Sequence, residues 1–163
     1  MRATVITDAS FFAPLRRGKT AETGVGGWAA WVRIDGVPTP IKGYGVIKTA
    51  DLRNSTEAEL YAALNGIWLA AAHGGRTILL RTDCMAVIHL TKGFSNSARL
   101  NQIWNDALNE HNLRELVIST AHVKGHGPIQ DRASWVNDWC DQKAKLAMRK
   151  ARKGELCQTI LSR

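Results

Sequence analysis

The chain has 163 residues, 45% hydrophobic and 22% charged, with a formal net charge of +8. This suits one domain with its own core and excludes a disordered or low-complexity chain. No apolar run reaches the ~20 residues of a membrane span and the N-terminus carries no signal-peptide pattern, so a cytoplasmic protein is expected. In chain order, residues 3–8 read as a strand. Residues 11–24 read as a loop, broken by Pro14, Gly18 and Gly24 and holding the basic cluster Arg16, Arg17 and Lys19. Residues 28–34 form a second strand, Asp35-Gly36 signals a hairpin, and residues 41–47 return. Leu60, Leu64, Ile67 and Ala71 then recur at helical spacing. Asn54, Ser55 and Thr56 are candidate N-caps, and His73-Gly74-Gly75 is the stop. Residues 77–82 make a buried strand, a short helix follows Asp83, and another helix spans about 99–111. Residues 116–121 are the fifth strand, and after a Gly-rich loop a terminal helix is expected from Asn137. Three antiparallel strands followed by alternating helices and strands imply an α/β fold with a five-stranded mixed sheet and helices on both faces.

The positive charge is uneven. Residues 142–163 hold seven Lys or Arg residues against one acid, Glu155. Such a tail suits a polyanion, whose neutralised phosphates release counterions, or it serves only as a solvated face. The three cysteines, Cys84, Cys140 and Cys157, form no CxxC pair and are expected to be free thiols.

Four acids fall where α/β proteins build sites. Asp8 and Asp83 are expected to end two apolar strands at the sheet rim, with Glu59 in the first turn of the first helix and Asp141 in the first turn of the last. Each has a purely structural explanation: Asp8 and Asp83 as turn formers, Glu59 as the end of a capping box from Thr56, Asp141 as a complement to its helix dipole. Those explanations leave the joint occurrence unaccounted for. Clustered carboxylates repel one another, and divalent cations relieve that repulsion.

Five stretches, Thr7-Asp8-Ala9-Ser10, Glu57-Ala58-Glu59-Leu60, Thr82-Asp83-Cys84, Val123-Lys124-Gly125-His126 and Asn137-Asp138-Trp139-Cys140-Asp141, together resemble the type 1 ribonuclease H family. The resemblance spans about residues 3–148. It implies a ribonuclease H-like domain over 1–153 with a basic tail at 154–163, and hydrolysis of the RNA strand of RNA–DNA hybrids. It also implies two Mg²⁺ ions, with Mn²⁺ as a substitute, held by Asp8, Glu59, Asp83 and Asp141. Glu57 competes for the glutamate role; Glu59 is preferred because the family's ligand directly precedes the first core leucine, here Leu60. His126 takes the place of a loop histidine that assists proton transfer or product release. Expected substrate contacts are Ser10, Asn54, Ser55, Lys124 and Asn137, with Arg16, Arg17 and Lys19 on the phosphates. The chain departs from the family in its loop 11–24, in a long loop after His126 reaching Asn137, in Met85 where Gln is common, and in lacking a basic helical protrusion between Ile88 and Trp104. The alternatives are a structure-selective DNA nuclease of this fold and a catalytically silent nucleic-acid-binding module. No obligatory protein partner is evident, and a monomer is expected.

Overall fold

The structure is a computed structural model that describes residues 1–13, 24–49, 51–125, 128 and 131–153. Arg16, Arg17, Lys19, His126, Cys157 and the tail 154–163 lie outside the described residues. The elements are β1 (Arg2–Phe12), β2 (Val25–Ile34), β3 (Ile41–Val46), α1 (Ser55–Ala72), β4 (Thr77–Thr82), α2 (Met85–Thr91), α3 (Ala98–Glu110), β5 (Val117–His122) and α4 (Arg132–Arg152). The sheet runs β3-β2-β1-β4-β5. β1 pairs antiparallel with β2, β2 antiparallel with β3, β1 parallel with β4, and β4 parallel with β5. This is the mixed sheet that the order of elements implies.

Side-chain alternation sorts the two faces. Ala3 and Val5 of β1, Val32 and Ile34 of β2, and Ile78 and Leu80 of β4 join Leu60, Leu64 and Ile67 of α1 in the main core. The intervening residues Ile6 and Ala29 turn to the other face and pack with Val136, Cys140 and Ala144 of α4. Gly27 of β2 lies under α4. A Cβ there would collide with the Ala144 carbonyl and would come within 2.6 Å of the Met148 backbone nitrogen. A side chain at this position is therefore incompatible with the close approach of helix to sheet.

Three boundaries differ from the sequence reading, the first being β2, which begins at Val25 opposite Phe12 and not at residue 28. β1 continues past Asp8 to Phe12, because Phe11 and Phe12 keep pairing with Gly26 and Val25 of β2. α4 starts at Arg132, five residues before Asn137. Asp131 accepts a hydrogen bond from the Ser134 backbone N–H at 2.8 Å, and the Ser134 hydroxyl accepts one from the Asp131 N–H at 3.0 Å. The reciprocal box has Ser at its third position in place of Glu or Gln, so the usual signature is missing. The segment 131–136 is thus cap and helix, and the loop after His126 is shorter than expected.

Candidate metal centre

The site is set by strand register. Along the parallel ladder Ala3 pairs with Ile78 and Ile6 with Arg81. Continuing that register two residues further sets Asp8 abreast of Asp83. Asp8 is mid-strand in β1, opposite Ala29 of β2, so it reaches the rim because β4 ends beside it, not because β1 does. Glu59 projects from α1, whose start is fixed by Asn54: its side chain accepts the Glu57 N–H at 2.9 Å. Carboxylate oxygens of Asp8, Glu59 and Asp83 all lie within 4.8 Å of one another.

The electrostatics follow from crowding and burial. Burial, then the Asp83 charge, raises the Asp8 carboxyl from 3.8 to about 7, and Asp141 adds to the effect. Burial and the Asp8 charge push the Glu59 carboxyl well above the usual carboxylate range. Asp8 Oδ1 accepts the Ala9 N–H at 2.9 Å, while Asp8 Oδ2 and Glu59 Oε2 are buried without a hydrogen-bond partner among the described residues. Two orphaned oxygens facing a third carboxylate form an all-oxygen donor set, which fits a hard divalent cation. Asp141 sits in the third turn of α4, not the first, so a dipole role is excluded. It borders the trio and is held by Lys145 at 2.7 Å.

Glu57 goes elsewhere. It is 2% exposed, accepts the Arg53 N–H at 3.3 Å, and pairs with Arg99 of α3 at 3.2 Å. Arg99 also binds the Asp51 carbonyl at 2.7 Å and its carboxylate at 3.2 Å. The first turn of α1 is thereby tied to α3.

Of the expected substrate contacts, Ser10 lies two residues beyond Asp8 on β1, half-buried. Asn54, Ser55 and Lys124 are exposed, and Asn137 is 3% exposed with an unpartnered Oδ1. Sequence reasoning overlooked two neighbours. Gly125 packs on Asp83: a Cβ there would collide with Asp83 Oδ2, so the glycine of Val-Lys-Gly leaves room for that carboxylate in the position it holds. Cys140 is buried, donates its thiol to the Ile6 carbonyl at 3.6 Å, and has its thiol pKa pushed up by burial and by Asp8 and Glu59. It fastens α4 to β1 beside Asp141. Its only sequence signal was an apolar-sized residue between two acids on a helix.

A family model described as reverse transcriptase-like matches residues 26–124, more than half of the chain, and includes Glu59 and Asp83. Comparison with curated proteins gave no match. The structure is similar to the N-terminal ribonuclease H domain of Rv2228c from Mycobacterium tuberculosis (TM-score 0.63, 19% identity, 93% of this chain and 97% of that one). It is similar to ribonuclease H1 from the archaeon Halobacterium salinarum (TM-score 0.62, 20% identity, 92% and 99%). A third similar structure is LC11-RNase H1 in complex with an RNA/DNA hybrid (TM-score 0.64, 13% identity, 92% and 99%). With the carboxylates gathered on this sheet and the family match running through two of them, the chain belongs to the reverse transcriptase-like family and has the ribonuclease H fold.

Proposed function

We propose that the protein is a metal-dependent endonuclease that hydrolyses the RNA strand of RNA–DNA hybrids. The observation that carries this reading is the convergence of Asp8, Glu59 and Asp83, with two buried oxygens left unpartnered, in a chain of net charge +8. Asp8, Glu59 and Asp83 would hold two Mg²⁺ ions together with Asp141 once Lys145 releases it. When bound, the ions supply Lewis-acid stabilisation of phosphodiester charge and an activated water.

The chain's own residues do the rest. Gly125 keeps the Asp83 carboxylate in place by leaving room for it. The Asn54 cap fixes the start of α1 and the Glu57–Arg99 pair ties its first turn to α3, which together hold the helix segment that carries Glu59. Ser10, Asn54, Ser55, Lys124 and Asn137 are the proposed contacts that select a strand bearing 2′-hydroxyls. Arg16, Arg17 and Lys19 would add phosphate contacts, and His126 would move a proton or help product leave.

The test is a cleavage assay with Mg²⁺ on end-labelled RNA–DNA hybrid, duplex DNA and duplex RNA. Cutting of the hybrid's RNA strand alone is expected. Preferred cutting of branched or duplex DNA would replace this reading with a DNA nuclease, and binding of hybrid without cleavage would make the protein a silent binding module.

A further inference from the structure

α4 covers only part of its face of the sheet, and beside its first turn lies an open groove of about 530 Å³. The groove is lined by Ile6 of β1, by Trp31 and Trp135, and by Arg33, Arg81 and Arg132. Trp31 and Trp135 meet edge-on at 5.6 Å, and Trp135 remains 49% exposed. The ion pairs among the described residues use Arg53, Arg99 and Lys145, so none involves these three arginines. Among the described residues the acid lining the groove is Asp131, which is engaged in capping α4. Arg33 donates to the Pro38 carbonyl at 3.3 Å and Arg81 feels the Asp131 charge, but none of the three guanidinium groups forms a salt bridge among the described residues, and an exposed indole beside such groups is suited to stack a base and neutralise its phosphate.

The position of the groove identifies its occupant. Ile6 and Arg81 are paired across β1 and β4, and the next residues on the same face of those strands are Asp8 and Asp83. One same-face step along a strand is about 6.6 Å. A smaller cavity shares Arg81 and Asp131 with the groove and adds His122 and Lys124, which carries the positive lining toward Gly125 at Asp83. An acidic peptide could use the arginines, but a polynucleotide is what the neighbouring carboxylate site already brings to this face.

We infer that the groove binds one or two unpaired nucleotides of a single strand extending from the hybrid, with a base stacked on Trp135 and phosphates at Arg33, Arg81 and Arg132. This rests on the proposed hybrid-cleaving function. It makes the groove a subsite that favours hybrids flanked by single-stranded nucleic acid over blunt ones.

The experiment measures binding of the full chain, without divalent metal, to three fluorescent probes: a blunt hybrid, the same hybrid with a short single-stranded extension on either strand, and oligothymidylate alone. The extended hybrid is expected to bind about tenfold more tightly than the blunt one, in the range of one stacked base. The double variant Trp135→Ala/Arg132→Glu should erase that difference and weaken oligothymidylate binding with blunt-hybrid affinity unchanged, while Tm falls slightly with the lost Trp31 contact. Trp135→Phe should restore most of the difference. Equal affinity for blunt and extended hybrids in the wild type would overturn the inference. So would an equal loss on both hybrids in the double variant, or preference for an acidic aromatic peptide over oligothymidylate. Failure of the hybrid-cleaving reading is separately visible: the hybrid then goes uncut in the Mg²⁺ cleavage assay, while oligothymidylate binding still reports on the groove.

Discussion

Glu57 and Glu59 stand two residues apart on one helix, yet one faces an arginine and the other two aspartates. Local pattern alone leaves both glutamates open, since both follow candidate N-caps and both precede apolar positions, and the family resemblance, through Leu60, favours Glu59. The cap turned out to be Asn54, which makes Glu57 the third helical residue and removes the capping-box explanation for Glu59. Glu59→Gln is expected to lower kcat by orders of magnitude. Glu57→Gln is expected to lower Tm, by the weakening of a buried ion pair, with kcat within a few-fold of wild type; paired steady-state assays and thermal melts check both. Asp8 gives a pH prediction. In the metal-free protein its folded value is about 7 against 3.8 unfolded, so between those values the folded state holds a proton that the unfolded chain releases. The associated stability is fully present below about 4 and is lost as pH rises through 7. Melts in a chelator are expected to show wild-type Tm falling across this window relative to Asp8→Asn, which should also be the more stable protein at pH 8 and inactive with Mg²⁺. A wild-type Tm that rises relative to the variant over the window would contradict the shift.

Elements were more legible than their ends. All nine follow from apolar period and turn residues, because a period of two or 3.6 survives any single substitution. The ends of β1 and α4 did not follow. β1's last residues are strand only because β2 lies opposite them, and α4's first turn depends on a box whose third residue is Ser134. Asp131→Ala is expected to cost about 1–2 kcal/mol, read from denaturant unfolding. At the other end of α4, Arg149, Lys150, Arg152 and Lys153 crowd the last turn and the C-cap. Arg152 also stacks on Phe12 at 3.7 Å, so it is left intact. Charge reversal at Arg149, Lys150 and Lys153 is expected to weaken hybrid binding and flatten its salt dependence, with cleavage retained at saturation. An unchanged salt slope would mean that this end of the helix is only solvated.

At the scale of the molecule, the site is a property of the sheet order. No local stretch places Asp8 beside Asp83; the parallel β1–β4 ladder does, and it joins residues that are remote in the chain. That pairing is the part a single sequence states least directly, and only the joint order of the motifs made it readable. Gly27→Ala tests how tightly the last helix must sit: the added methyl meets backbone, which cannot rotate away, so a loss of about 1–3 kcal/mol is expected, with impaired cleavage because Asp141 moves with α4. Normal Tm and normal rate in this variant would show that the helix can shift without consequence. The packing of α4 on β1 also has a consequence for biosynthesis. β1 is made early and α4 late, so a ribosome-bound chain that has completed β5 still shows water the apolar strip of Ile6 and Ala29 that Val136, Cys140 and Ala144 later cover. Until that helix emerges this strip stays open to water and Asp141 is absent from the neighbourhood of the other carboxylates, so both the second core and the full acidic cluster close only with the last element.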